Sequence, residues 1–478
     1  MNERSRRHSL VSAALGMLLV SSACAVGPTY RRPEVPAPAT FKEDLPSGWK
    51  DAQPNDGTPR GAWWTAYNDP QLDALEDRVR ISNQNVLAAE AQFRAAEASV
   101  RVARAAQFPV VSASAAAART SGPGDATAHS QYTLPIDVTY QADVWGSIRR
   151  TVRANTDVAQ ASAADLENAR LLYQTELAAD YFQLQGLDAD RRLLDATTKS
   201  YEQYAQLTKD RYDGGVASMA DVDLAQTQLE TARAQLVDLS IPRAQFEHAI
   251  AVLTGQPPSA VSLPDASNQS ALPPVQVGLP STLLERRPDV AAAERQVAAA
   301  NEQIGIAKAA FYPSLIFGGS VGSQAEAIVD LLTAPTHLWS VGAQLAETLF
   351  DGGKRRAQVR LTEADYDATV ANYRQIVLTA FQQVEDGLAE MRILAQEGEI
   401  VGRAVTAAQQ SLDISTIQYR GGLASYLQVI TAQTSLLQNQ RATVDIVTKR
   451  LVASVSLIQA LGGGWDASQL PSAKEVRR

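Results

Sequence analysis

Along residues 132–144 the chain alternates. Tyr132, Leu134, Ile136, Val138, Tyr140 and Val144 are interleaved with Thr133, Asp137, Thr139, Gln141 and Asp143. A period of two predicts a strand with one greasy and one wet face. Upstream, "VVSASAAAART" follows Pro109 and ends in a Gly/Pro/Asp-rich break at 121–125, so the two stretches read as a hairpin. A second hairpin is predicted where "SLIFGGSVG" is followed, beyond a break around Pro335, by "WSVGAQLAETLF". There Trp339, Val341, Ala343 and Leu345 form the apolar side. About ten alternating residues per strand suits an outer-membrane barrel. A pair of half-buried soluble sheets gives the same pattern.

The remaining chain permits long helices. Prolines are absent from 71 to 108, from 136 to 241 and from 336 to 470. An unbroken helix from Ser147 to Asp213 would reach about 100 Å at roughly 1.5 Å per residue, a length that only coiled-coil-like partners stabilise. Steps of four and three residues pick out Leu423, Leu427, Ile430, Thr434, Leu437, Arg441, Val444, Thr448, Leu451, Val455 and Ile458, a narrow seam of coiled-coil type.

Two Gly-Gly pairs interrupt these spans. "RYDGGVAS" (211–218) and "QYRGGLAS" (418–425) begin a match in which Tyr212, Gly214, Gly215, Ala217, Ser218, Val222, Ala225, Gln226, Thr227 and Leu229 recur at a constant offset of 207. "ARAAQFPVV" (103–111) is echoed by "AKAAFYPSL" (307–315), and Arg149-Arg150 by Arg355-Arg356. The chain therefore reads as two tandem structural repeats.

Composition narrows the classes. With 6% aromatic residues and abundant Ala, close-packed helices are favoured over a core of large rings. The formal charge is −9, and removal of residues 1–23 takes away three arginines and one glutamate, leaving 40 basic against 51 acidic residues, or −11. Nucleic acid is excluded as a natural partner. Cys24 is the one cysteine, so neither an intrachain disulfide nor a Cys-based zinc site is possible. Arg4, Arg6 and Arg7, the apolar run Leu10 to Val20 and the small residues at 21–23 form a secretory signal, and Cys24 directly after it reads as a lipid attachment site. Ser21 stands where a lipobox usually carries Leu, so cleavage leaving a free thiol is the alternative. Residues 24–70, rich in Pro, form an extended arm.

Four strands cannot close a barrel, and open edges are not tolerated in lipid, so several subunits must share one. Eight strands fill with side chains and twelve leave a lumen, which favours a trimer.

"GLPSTLLERRPDVAAAERQVAAANEQIGIAKAAFYPSL" (278–315), with "GPTYRRPEVPAPATF" (27–41), "DVWGSIRR" (143–150), "HAIAVLTGQPPS" (248–259) and "LFDGGKRR" (349–356), resembles the outer-membrane factor family, the TolC-like exit ducts, in its NodT/OprM branch of RND-type efflux lipoproteins. The resemblance implies a mixed α and β fold: a trimeric transmembrane β-barrel, four strands per protomer and twelve in all, continued by a long periplasmic α-helical coiled-coil barrel. It also implies a belt built from segments around Pro242 to Pro288 and the C-terminus. The expected organisation is a signal peptide at 1–23, an anchored arm at 24–70, repeat 1 at 71–270, repeat 2 at 271–464 and a tail at 465–478. Each repeat carries a β-hairpin, about 109–145 and 312–350, and a helical hairpin with its tip at 212–220 or 419–427.

By the same resemblance the turns are periplasmic tips. Gly214, Gly215, Val216, Gly421, Gly422 and Leu423 would dock a periplasmic adaptor (membrane fusion protein), which links the duct to an inner-membrane pump. Asp221 and Tyr419 match the acid and phenol of the family's closing network, and Arg420 would stand in for its arginine, whose place here holds Ala424. Passive conduction of drugs or other toxic compounds from periplasm to exterior is the function implied, without cofactor or metal. A non-conducting lipid-anchored coiled-coil scaffold, or the exit duct of a protein secretion system, is the alternative. No enzyme is expected: "GGSVG" around Ser320 matches a hydrolase pattern but not its strand-to-helix setting, and His129, His248 and His337 lack ligand spacing. Arg149-Arg150 and Arg355-Arg356 fit the strand-to-helix junctions near lipid headgroups.

Overall fold

The structure is a computed structural model, and it describes residues 26–35, 38, 40–43, 62–121, 128–266, 270–273, 283–332 and 337–477. Cys24, the expected lipid site, lies outside the described residues, as does the signal segment.

Five strands form one antiparallel sheet: β1 (Val110–Ala113), β2 (Ala116–Thr120), β3 (His129–Ala142), β4 (Ser314–Ala325) and β5 (His337–Ala346). β1 and β2 both pair with β3 in a single register, Val110 opposite Thr139 and Thr120 opposite His129. They are one strand whose ladder is interrupted opposite Pro135, which has no N–H to donate but whose carbonyl still accepts from Ser114 N at 3.1 Å. The sheet thus has four strand positions.

Cross-strand rows separate its faces. Ala113, Ile136, Val321 and Trp339 lie in one row; Val111, Val138, Gly319 and Val341 in the next; Ala142, Leu315 and Leu345 in another on the same side. On the other face Ser112, Asp137, Ser320 and Ser340 align. Both predicted hairpins therefore contribute to one apolar face, and Ile136, Val321, Trp339, Val341 and Leu345 on it are exposed in the isolated protomer. β1/β2 and β5 are unpaired edges.

The helices used below are α1 (Pro70–Ser82), α2 (Gln84–Ala105), α3 (Ser147–Asp213), α4 (Met219–Asp238), α5 (Ser240–Leu253), α6 (Pro288–Ala309), α7 (Lys354–Arg420) and α8 (Tyr426–Ala460). α3 and α7 each have 67 residues, so each spans about 100 Å. Both begin after a left-handed Gly, Gly146 and Gly353, that turns the chain out of the sheet. They lie side by side in the order α7, α8, α3, α4, with α4 and α7 at the outer positions. α1, α2 and α5 pack on α3, and α6 packs between α3 and α7.

Burial comes from small residues and a few large ones. α6 buries Val290, Ala293 and Val297 against Tyr373, Val377, Val384 and Leu388 of α7. Trp63, Trp64 and Tyr67 cover Phe182 and Leu177 of α3. A Cβ on Gly186 would stand 2.3 Å from Thr448 Oγ1, so the missing side chain lets α3 and α8 approach. Arg441, the charged member of the predicted seam, is bound by Asp190 of α3 at 2.7 and 3.0 Å.

The seam itself needs correction at its lower end. Thr448, Leu451, Val455 and Ile458 are buried as expected, but Leu423 and Leu427 are 85% and 59% exposed. There the buried stripe is Tyr426, Val429, Gln433 and Leu436. The ring of Tyr426 fills the space beside Tyr419, 5.3 Å between centroids, and rotates that face inward.

Candidate functional site: sheet, arm and helical tips

The sheet ends in a polar junction. At the start of α3, Asp143 accepts from the backbone of Ile148 and Arg149 and pairs with the Arg149 guanidinium at 3.0 Å. Arg150 is buried and meets Glu302 of α6 at 2.8 Å. At the start of α7, Arg355 pairs with Asp351 and Glu347 and lies over the Phe311 ring. These arginines are structural, as the sequence predicts for strand-to-helix junctions.

From this junction the N-terminal arm descends along the helices. Val26 N–H donates to Trp145 O at 3.1 Å. The Pro28 carbonyl accepts from Arg150 Nη2 at 3.1 Å, Tyr30 lies against Glu294, and Arg32 reaches the Tyr373 hydroxyl at 3.2 Å. Farther down, the backbone N–H groups of Lys42 and Glu43 donate to Glu385, and Arg392 pairs with Glu43 at 2.7 Å. An extended strand satisfies few hydrogen bonds of its own, so the helices supply them. Burial and the Glu294 carboxylate push the Tyr30 phenol far up, keeping it neutral as a donor.

Around mid-length a polar hub holds the belt segments. Asp69 caps α1 and accepts from Tyr181 and Gln185 of α3 and from Ser270, each at 2.9 Å. Asp188 accepts from Arg243 of α5 at 2.8 Å and from Ala266 N–H at 2.9 Å.

At the far ends the Gly-Gly segments form two closely similar turns. Gly215 (φ 74°) and Gly422 (φ 73°) adopt the left-handed conformation, and Val216 N–H and Leu423 N–H each bond the carbonyl five residues back, of Arg211 and Gln418, at 2.8 Å. This is the Schellman closure of a helix, after which α4 and α8 return. The six tip residues are together here. Val216 and Leu423 are 66% and 85% exposed.

The residues of the expected closing network occupy distinct settings. Asp221 closes a capping box with Ser218, accepting from its N–H at 3.2 Å and its hydroxyl at 2.9 Å. Tyr419 is buried, its hydroxyl 3.4 Å from Thr208 Oγ1, while Arg420 is exposed. Among the described residues no hydrogen bond joins Asp221 to Tyr419 or Arg420 within the protomer. Sequence reasoning overlooked Arg211, whose guanidinium lies 4.8 Å over the Tyr419 ring and donates to the Arg420 carbonyl at 3.2 Å. Its signal was present as the first letter of "RYDGGVAS".

Ser320 lies inside β4, paired with Asp137 and Ser340 across the ladder, not at a strand-to-helix elbow. Among the described residues no group of His, Cys, Asp and Glu could hold a metal ion.

Comparison with known proteins follows this geometry. The chain is 30% identical to the probable efflux pump outer membrane protein TtgC of Pseudomonas putida over 96% of both chains. It is 30% identical to the pyoverdine export outer membrane protein OpmQ of Pseudomonas aeruginosa, over 91% of this chain and 94% of that one. The solved outer-membrane channel OprN superposes with a TM-score of 0.85 at 29% identity, covering 92% of this chain and all of that one. The family model described as Outer membrane efflux protein matches residues 75–256 and again 279–463, so the chain belongs to the outer membrane efflux protein family.

Proposed function

We propose that three copies of this chain form the passive exit duct of an efflux pump. The sheet carries the reading: one face is apolar, the other polar, and both edges lack partners. Pairing β5 of one copy with β1/β2 of the next closes twelve strands and removes every edge, with the apolar rows toward lipid and the serine row toward a lumen. Below, α4 of one copy adjoins α7 of the next, extending the wall through two tandem repeats. The tips then reach about 100 Å into the periplasm, where Gly214, Gly215, Val216, Gly421, Gly422 and Leu423 meet a periplasmic adaptor. An inner-membrane pump supplies the energy, for the chain carries no phosphate-binding Gly-Lys-Ser/Thr motif.

Two finer assignments belong to this reading. Cys24 is the acylated residue: it precedes by two positions the backbone N–H of Val26, which is bound at the sheet–helix junction. Resting closure is set by Asp221, Tyr419 and Arg420, with Tyr419 held in place by Arg211. Small toxic molecules are the cargo, in keeping with relatives named for efflux and for pyoverdine export.

The test is assembly and transport together. Purified protein should have the mass of three chains, and Gly215→Pro with Gly422→Pro should abolish efflux in cells while trimers persist. Proline cannot adopt φ near 74° or donate the Gly N–H to Tyr212 or Tyr419. A monomer in the native membrane, or normal efflux in the variant at equal expression, contradicts the proposal.

A further inference from the structure

The two sheet–helix junctions differ in how they neutralise charge. A helix start favours acidic side chains, because its first amide N–H groups point outward unpaired. Yet α3 opens with Arg149, Arg150 and Arg153, and α7 with Lys354, Arg355, Arg356 and Arg360. In α3 the first two are answered by Asp143 and Glu302. In α7 only Arg355 is answered, by Asp351 and Glu347. Lys354, Arg356 and Arg360 are exposed in the isolated protomer and enter no ion pair among the described residues. Arg356 corresponds to Arg150 at an offset of 206, so a position buried and neutralised in one half is open and charged in the other.

Beside these cations stand two uncovered apolar side chains. Leu349 and Phe350, between β5 and α7, are 92% and 88% exposed. They follow Leu345, the last β5 member of the sheet's apolar face, which is 69% exposed. The level is marked independently by aromatic rings: Trp145 stacks on Tyr312 at 4.7 Å, and Phe311 lies under Arg355 at 5.2 Å. Rings of this kind gather where a membrane's hydrocarbon meets its headgroups. The arm enters at the same level through Val26 and Trp145.

We infer that Leu349, Phe350, Lys354, Arg356 and Arg360 form a binding surface for anionic phospholipid in the leaflet facing the helices. The apolar pair enters the acyl layer while the three cations meet headgroup phosphates. Charge complementarity selects this occupant: in a chain of net charge −9, residues 347–360 hold four cations against two carboxylates. The inference rests on the barrel reading above. It adds that the second repeat, rather than both, holds the charged lipid.

The experiment uses the full chain, delipidated in detergent and returned to phosphatidylethanolamine vesicles with or without phosphatidylglycerol. Retained lipid is then measured by native mass spectrometry. The wild type should retain phosphatidylglycerol in preference. Lys354→Gln/Arg356→Gln/Arg360→Gln should lower that retention by about tenfold or more, since each basic side chain at an anionic surface contributes roughly fivefold. Leu349→Ser/Phe350→Ser should lower retention of both lipids without changing the preference. Equal preference in wild type and triple variant overturns the inference, as does displacement of the lipid by inorganic phosphate at matched ionic strength. Failure of the wild type to insert into vesicles would instead contradict the barrel reading.

Discussion

Replacing Arg150 by Met isolates what the buried junction contributes. The Arg150 and Glu302 side chains are 5% and 9% exposed and 2.8 Å apart, and Arg150 Nη2 also donates to the Pro28 carbonyl at 3.1 Å. The site has no spare room: a Cβ on Gly305 would come within 2.4 Å of Arg150, and one on Gly27 within 2.5 Å of the Gly305 Cα. Methionine keeps the unbranched apolar stem but not the guanidinium, so Glu302 becomes a buried carboxylate without its ion-pair partner. Breaking such a pair costs about 3–5 kcal/mol. With about 2.1 cal/mol/K of unfolding entropy per residue, 478 residues give roughly 1 kcal/mol/K, so a protomer that melts as a unit should melt roughly 3–5 °C lower. The arm reports the local effect, because among the described residues the Pro28 carbonyl keeps only Asn301 Nδ2 at 3.4 Å as a donor. Trypsin cleavage after Arg31 should accelerate. Arg150→Met/Glu302→Gln removes both charges and should recover most of the melting loss. Unchanged melting and unchanged cleavage in Arg150→Met would refute the reasoning.

Two further outcomes follow from groups in the helical body. Burial first, then the Glu176 carboxylate, raises Asp180 from 3.8 to about 6. Because the folded value lies above the unfolded one, the associated stabilisation is complete below about pH 4 and is lost as pH rises through about 6. Asp180→Asn should therefore melt with the wild type below pH 4 and above it at neutral pH, as calorimetry across the range will show. Gln433 is 3% exposed with neither its Nε2 nor its Oε1 bonded. Gln433→Met should stabilise the lower hairpin by about 1–3 kcal/mol, read as slower amide exchange in residues 426–440.

Period-two alternation made the strands legible, because a sheet with one wet face must write its two sides into consecutive residues. The absence of proline from 136 to 241 and the Gly-Gly pair fixed α3 to its last residue, Asp213. Partner choice was not legible. Tyr212 and Tyr419 are equivalent in sequence, yet Tyr212 is 43% exposed and Tyr419 is 3% exposed. The difference lies at the residue seven positions on, where Met219 is exposed and Tyr426 packs its ring on Tyr419. The same ring shifted the seam by one position. Arg150 and Arg356 diverge likewise, because Glu302 faces only the first of them. Such pairings depend on neighbours distant in sequence, which no local period records. The arm's attachment to α7, through Tyr373 and Glu385, is of this kind.

Conductance in a planar lipid bilayer tests the central claim most directly, because a duct conducts and a scaffold does not. The purified wild type should give discrete single-channel events from a mostly closed baseline. Asp221→Ala with Tyr419→Phe should raise the conductance or the open fraction without dissociating trimers, since it removes one carboxylate and one hydroxyl from each of three protomers. A wild type that inserts as a trimer and passes no current, alone or with this double substitution, would contradict the account.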